Sequence, residues 1–137
     1  MYNKPMLSLE EAHTAITAMT EEYNKDTNRK KVDMVVVDDA GNLIAYARMD
    51  RCLRPSFALR KAYTAAVRGM DTLALAEQLK ASGRTIESFG DPQLIAIPGG
   101  VTVLKDGAVV GAMAVGGLPS GIDDEVIAKA GLKALNL

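Results

Sequence analysis

The stretch VDMVVVDDAGNLIAYARMD, residues 32–50, constrains the fold of this chain more than any other. Its opening run, Val32–Val37, is rich in β-branched side chains and suits a strand buried on both faces. Asp38, Asp39, Ala40, Gly41 and Asn42 supply turn chemistry, and Leu43–Met49 returns as a second strand. The pair reads as an antiparallel hairpin. A second hairpin follows near the end, with Val101–Leu104 and Ala108–Val115 flanking Lys105, Asp106 and Gly107. Leu94–Ile97 reads as a further short strand, broken by Pro98, Gly99 and Gly100.

Helical patterns fill the spaces between. Ser8 and Glu11 make a capping box, and Leu9, Ala12, Ile16, Met19 and Tyr23 recur at helical spacing, predicting a helix from Ser8 to about Asp26. A second helix starts at Pro55 or Ser56 and runs to about Arg68, ended by Gly69. A third spans roughly Asp71–Ala81 and closes at Gly83. The last runs from about Asp123 to Leu135, with Asp123, Asp124 and Glu125 complementing the dipole of its first turn. The order α-ββ-αα-βββ-α, joined by hairpins rather than crossovers, predicts an α+β fold with one antiparallel sheet flanked by helices. With 137 residues and no linker or repeat, residues 1–137 read as a single domain.

Composition removes several function classes. Sixteen Lys and Arg stand against seventeen Asp and Glu, there is no Trp, and aromatic residues make up 4%. A nucleic-acid partner is therefore not expected, because phosphate neutralisation demands a basic surface. No apolar run reaches the length of a membrane span, so no membrane partner is expected. The lone cysteine, Cys52, permits no internal disulfide and fits a reducing, cytoplasmic setting. One His and one Cys cannot build a structural zinc site, and no metal site is expected. The G-x-S-x-G elbow and the Walker-type GK[ST] are both absent.

What remains is a basic cluster, a set of glycines and one histidine. Arg48, Arg51, Arg54, Arg60 and Lys61 lie close together, with Asp50 the single acid among them. Arg48 and Asp50 share a face at the end of the second strand. Phe57, Lys61, Thr64 and Arg68 form one stripe of the next helix, while Leu59, Ala62, Tyr63, Ala66 and Met70 form the stripe better suited to the core. Two readings stand: a solvated rim, or a cradle for a carboxylate or phosphate. The glycines of PGG (Gly99, Gly100) and of GAMAVGGLPSG (Gly116, Gly117) mark either sheet curvature or close approach of another group. His13 lies at the edge of the first helix's apolar stripe and is the only nitrogenous haem ligand in the chain.

In this order the segments LSLEEA, VVVDDAGNLIAYARMD, LRKAYTAA, IPGGVTVLKDGAVVGAMAVGG and DDEVIAKAGL resemble the GlcG/HbpS family, also found as the C-terminal domain of PduO-type proteins. The resemblance covers nearly the whole chain. It implies a profilin-like antiparallel sheet of about five strands with helices on both faces. It also implies assembly as a homo-oligomer, tetramer or octamer, and haem as a cofactor in several members. By position, Arg48, Asp50, Lys61 and Thr64 match the family's R-x-D and K-A-x-T-A, and Gly99, Gly100, Gly111 and Gly117 match its glycines. Asp123 or Asp124 matches its acid before the last helix. Histidines of the first helix bind haem iron in some relatives, which makes His13 a candidate axial ligand. Where relatives often read G-A-I-G-V-S-G, this chain has Ala114 and Gly116, and Arg51-Cys52 replaces a common G-A, with Arg54 and Pro55 following. A changed pocket wall and an added arginine favour a small, strongly anionic ligand.

Two functions from different classes follow. One is binding of haem or a related anionic ligand by Arg48, Arg54, Phe57, Thr64, Gly99, Gly100, Gly116, Gly117 and Lys61, with His13 as axial ligand. The other is a cofactor-free enzyme of the isomerase or hydratase/dehydratase type acting on a small carboxylate. There Arg48 clamps the carboxylate and Lys61, Asp50 or Asp124 serves as acid or base. In either case Arg51 or Arg54 is placed to reach the pocket from a neighbouring subunit.

Overall fold

The structure is a computed structural model that describes residues 1–53 and 56–137. The elements are α1 (Leu9–Tyr23), β1 (Asp33–Asp38), β2 (Leu43–Arg48), α2 (Ser56–Arg68), α3 (Thr72–Ser82), β3 (Gly100–Lys105), β4 (Ala108–Gly116) and α4 (Gly121–Ala134). A 3-10 turn at Ile86–Phe89 lies between α3 and β3. The sheet runs β2-β1-β4-β3, and every neighbouring pair is antiparallel. The α+β class and both hairpins are as expected. Pro55, one of the two expected starts of α2, and Arg54 lie outside the described residues.

One element differs. The order is α-ββ-αα-ββ-α, and the described sheet has four strands rather than about five. Leu94–Ile97 joins no ladder, because α2 side chains take the backbone groups a strand partner would have used. Ile95 N–H donates to Thr64 Oγ1 at 3.0 Å, and Leu94 C=O accepts from Arg60 Nη2 at 3.0 Å. A short apolar run bounded by turn residues is buried equally well either way, and satisfaction of its amides decides.

Each face of the sheet carries its own core. On one, Met34 and Val36 of β1, Val101 and Val103 of β3, and Met113 and Val115 of β4 pack under α1 and α4. On the other, Val35, Val37, Ala112 and Ala114 pack against Ala58, Ala62, Ala65 and Ala66 of α2. The β-branched run of β1 is thus buried on both sides, as its composition requires. The buried face of α2 keeps Ala62 and Ala66 of the expected stripe but not its larger members. Lys61, Ala62, Thr64 and Ala65 are buried, while Leu59 is exposed and Tyr63 only half-buried. The helix lies too close to the sheet for large side chains. Gly100 faces the Lys61 carbonyl, and Thr102 Oγ1 donates to Ala65 C=O at 2.9 Å.

The capping box of α1 forms as read, with Glu11 N–H donating to Ser8 Oγ at 3.0 Å and Ser8 N–H to Glu11 Oε1 at 2.9 Å. The helix ends at Tyr23, short of Asp26, because Arg29 folds back to donate to the carbonyls of Glu22 and Tyr23. α1 and α4 meet at Gly131, where a Cβ would stand 2.7 Å from Met19 Cγ and 3.1 Å from the Ala15 carbonyl oxygen. Gly131→Val is expected to cost about 1–3 kcal/mol through overpacking, read as a lowered denaturation midpoint with unchanged cooperativity. An unchanged midpoint would show that α4 can lift off α1 freely.

Candidate functional site

Lys61 is the residue around which the site forms. It sits on the buried face of α2 with only 2% of its surface exposed. Its ammonium donates to Asp124 Oδ2 at 2.9 Å and to the Val115 carbonyl at 3.1 Å. Asp124 stands in the first turn of α4, and its second oxygen accepts the Leu118 N–H at 3.1 Å. Of the two acids left open by the sequence, Asp124 turns inward and is buried while Asp123 is exposed. Burial pushes the Asp124 carboxyl above its ordinary value, and the Lys61 ammonium and Leu118 N–H pull it back.

The PGG glycines make this geometry possible. Gly99 has φ +129°, and a Cβ there would lie 2.8 Å from Lys61 Nζ and 2.7 Å from the Val115 carbonyl oxygen. A Cβ on Gly100 would lie 2.5 Å from the Lys61 carbonyl oxygen. Both glycines therefore make room for Lys61 from behind.

A second buried carboxylate lies nearby. Asp33, the first residue of β1, is fully buried and accepts the Tyr46 hydroxyl on Oδ2 at 2.9 Å. Its Oδ1 has no partner among the described residues and faces Gly116, whose missing Cβ would stand 3.1 Å away. Burial pushes the Asp33 carboxyl up to about 6, against the pull of the Tyr46 hydroxyl and the Lys61 ammonium. Burial and the neighbouring Asp33 likewise push the Tyr46 hydroxyl up.

A cavity of about 510 Å³ opens above the Lys61–Asp124 pair, within the range of small-molecule sites. Leu53, Phe57, Ile97, Leu118 and Pro119 give it an apolar wall, and Gly117 and Gly121 complete the side at the start of α4. Lys30, Lys31 and Arg51 stand at its mouth, all exposed. Among the described residues none of these three forms an ion pair, although Lys31 Nζ lies 6.0 Å from the centre of the Tyr23 ring.

The structure thus brings Phe57, Lys61, Gly117 and Asp124 together at one cavity. It places the other candidates elsewhere. Arg48 and Asp50 are exposed and outside the cavity lining, with Arg48 paired in register with Asp33 across β1 and β2. Thr64 is buried, donating to the Arg60 carbonyl at 2.7 Å and accepting from Ile95. Gly99 and Gly100 back Lys61, and Gly116 covers Asp33. His13 is exposed on the outer face of α1, in a separate shallow groove beside Glu10 and Glu21. Arg51 lines the cavity of its own chain. Sequence reasoning missed Lys30 and Lys31, which no motif or periodicity singles out, and Asp33. The signal for Asp33 was available: an acid inside a strand buried on both faces needs a partner. Among the described residues no cluster of His, Cys, Asp and Glu could hold a metal ion, and no helix is long and apolar enough to cross a membrane.

Comparison with known proteins adds four findings. A family model described as "Haem degrading protein HbpS-like" matches residues 7–133. Protein GlcG of Escherichia coli (strain K12) is 37% identical over 117 residues, covering 84% of each chain. A double mutant of Streptomyces reticuli HbpS superposes with a TM-score of 0.87 at 33% identity, covering 98% of this chain and 90% of that one. The PduOC:heme complex superposes with a TM-score of 0.85 at 25% identity, covering 96% of each.

Two expectations follow from the buried groups. Lys61→Ala or Asp124→Ala leaves an uncompensated buried charge and is expected to cost about 3–5 kcal/mol, whereas Lys61→Met with Asp124→Leu recovers most of that. Denaturation midpoints of the three variants check it. For Asp33, the folded state holds the proton more tightly than the unfolded state, whose ordinary value is 3.8. The stability linked to that proton is complete below the unfolded value and is lost as pH rises through about 6. Asp33→Asn is therefore expected to be more stable than the parent above pH ~7, by on the order of 2 kcal/mol, with the gain vanishing below pH ~4. Equal pH profiles of the two proteins would contradict this.

Proposed function

The chain belongs to the HbpS-like family, and we propose that it binds a small anionic ligand in the cavity floored by Lys61 and Asp124. Haem or a related tetrapyrrole is the candidate that the relatives' names supply. The observation carrying this reading is the charge distribution. A chain of net charge -1 sets three cations that form no ion pair among the described residues, Lys30, Lys31 and Arg51, around one half-apolar cavity. Such a mouth attracts an anion, and the wall of Leu53, Phe57, Ile97, Leu118 and Pro119 takes an apolar body.

Haem fits this cavity in part. Its propionates suit the cations, and its ring suits the apolar wall. Its iron does not fit: none of the described side chains lining the cavity is His, Cys, Met or Tyr. His13 lies in the other groove, beside Glu10 and Glu21, whose carboxylates disfavour propionates. The ligand of the Lys61 cavity is accordingly held by its anionic groups. Assembly as a homo-oligomer, tetramer or octamer, belongs to the same proposal; the exposed Ile122 and Val126, one turn apart on α4, offer apolar surface for it.

The Lys61–Asp124 pair also favours a second reading, a cofactor-free isomerase or hydratase/dehydratase. A buried ammonium hydrogen-bonded to a carboxyl pushed up by burial is a proton donor–acceptor pair facing a cavity. Asp50, outside that cavity, has no part in this reading.

Titration of the protein with haemin is expected to give a saturable absorbance change, weakened about tenfold by Lys30→Glu with Lys31→Glu and unaffected by His13→Ala. Loss of the change in His13→Ala alone would move the site to the α1 groove. No saturable change in any of them would remove the tetrapyrrole and leave small organic acids as ligands.

A further inference from the structure

We propose that the ligand carries its charge at one end only, an anionic group held at the mouth by Lys30, Lys31 and Arg51 while an uncharged hydroxyl or carbonyl oxygen rests on the Lys61–Asp124 floor. This rests on the anion-binding reading of the same cavity and narrows it to a ligand class: hydroxy- or oxo-substituted organic anions with an apolar middle.

The floor is electrically closed. The Lys61 ammonium is paired with Asp124 at 2.9 Å, and both groups are buried. A second carboxylate placed there would meet Asp124 as a like charge, away from water and without a free cation. Hydrogen bonding is not closed. An ammonium has three N–H donors, and Lys61 uses one on Asp124 and one on the Val115 carbonyl. A carbonyl or hydroxyl oxygen can accept the third, and a hydroxyl can also donate to a lone pair of Asp124.

The mouth is the reverse. Asp124, already paired, is the only acid among the described lining residues, and among the described residues Lys30, Lys31 and Arg51 have no ion pair. Arg51 also holds a backbone conformation that arginine avoids, with φ 67°, in the turn closed by the Cys52 N–H on the Met49 carbonyl at 3.1 Å. Among the described residues its side chain makes no hydrogen bond that would compensate. Glycine would relieve that conformation, and the strained arginine is accounted for by the guanidinium it brings to the mouth. Phe57, Ile97, Leu118 and Pro119 line the space between the two ends.

Calorimetric titration of the full chain with matched probes tests this: a hydroxyalkanoate, the dicarboxylate and the plain alkanoate of equal chain length, in several lengths. At the best length the hydroxyalkanoate is expected to bind about tenfold more tightly than the dicarboxylate. Arg51→Gly is expected to weaken it about tenfold while leaving the melting temperature unchanged or raised, a combination that a structural arginine would not give. A dicarboxylate binding as tightly as the hydroxyalkanoate, or undiminished binding by Arg51→Gly, overturns the inference. In that case binding still lost on Lys30→Glu with Lys31→Glu leaves the anion-binding reading standing. Saturation by none of the probes also overturns the inference, and the haemin titration then decides the broader reading separately.

Discussion

The buried pair of Lys61 and Asp124 is the constraint from which the rest of this structure follows. Two ions withdrawn from water are tolerated only when they are close and their remaining hydrogen-bonding groups are satisfied. Meeting that condition takes α2 for the lysine, α4 for the aspartate, the end of β4 for the Val115 carbonyl and the loop after it for the Leu118 N–H. Elements far apart in sequence are thereby pinned at one point. The pair also explains why PGG carries no side chains, since Gly99 and Gly100 both lie against Lys61.

The close approach of α2 to the sheet has a second effect. With Ala58, Ala62 and Ala65 against Ala112 and Ala114, the interface is thin, and a long side chain cannot end inside it. Lys61 therefore runs past the alanines to the end of β4, where the sheet stops and α4 begins. The cavity forms there for the same reason: beyond Gly116 no strand continues to fill the space between α2 and α4. The small-residue core and the site are thus one feature, and enlarging the alanines would alter both together.

Hairpins, caps and the two-sided burial of β1 were legible in the sequence because each is decided locally, by turn residues, capping pairs and β-branched runs. Leu94–Ile97 was not, because its state depends on Thr64 and Arg60, about thirty residues away. The buried face of α2 was misread for a related reason. Hydrophobic periodicity ranks Leu59 and Tyr63 above Ala58 and Lys61, but the distance between helix and sheet admits only the smaller residues and a lysine that finds a partner elsewhere. Lys61 was singled out by the basic cluster and by the stripe on α2 that it shares with Phe57, and Asp124 by family resemblance. Lys30 and Lys31 carried no signal, since two lysines in a polar loop look alike whether they face solvent or a cavity.

The departures from the family pattern bear on the site unequally. Ala114, in place of a glycine, packs beneath α2 and lies outside the cavity lining. It adjusts the spacing of helix and sheet rather than the wall of the cavity. Gly116, in place of a serine, lies against Asp33 Oδ1, which has no partner among the described residues and to which a serine hydroxyl could have donated. Removing that donor leaves the carboxyl free to keep its proton, in keeping with its raised value. Arg51 is the departure that reaches the cavity. A substitution that adds a cation at the mouth, while the floor stays neutral through Lys61 and Asp124, changes where charge is accepted without changing the fold that presents it.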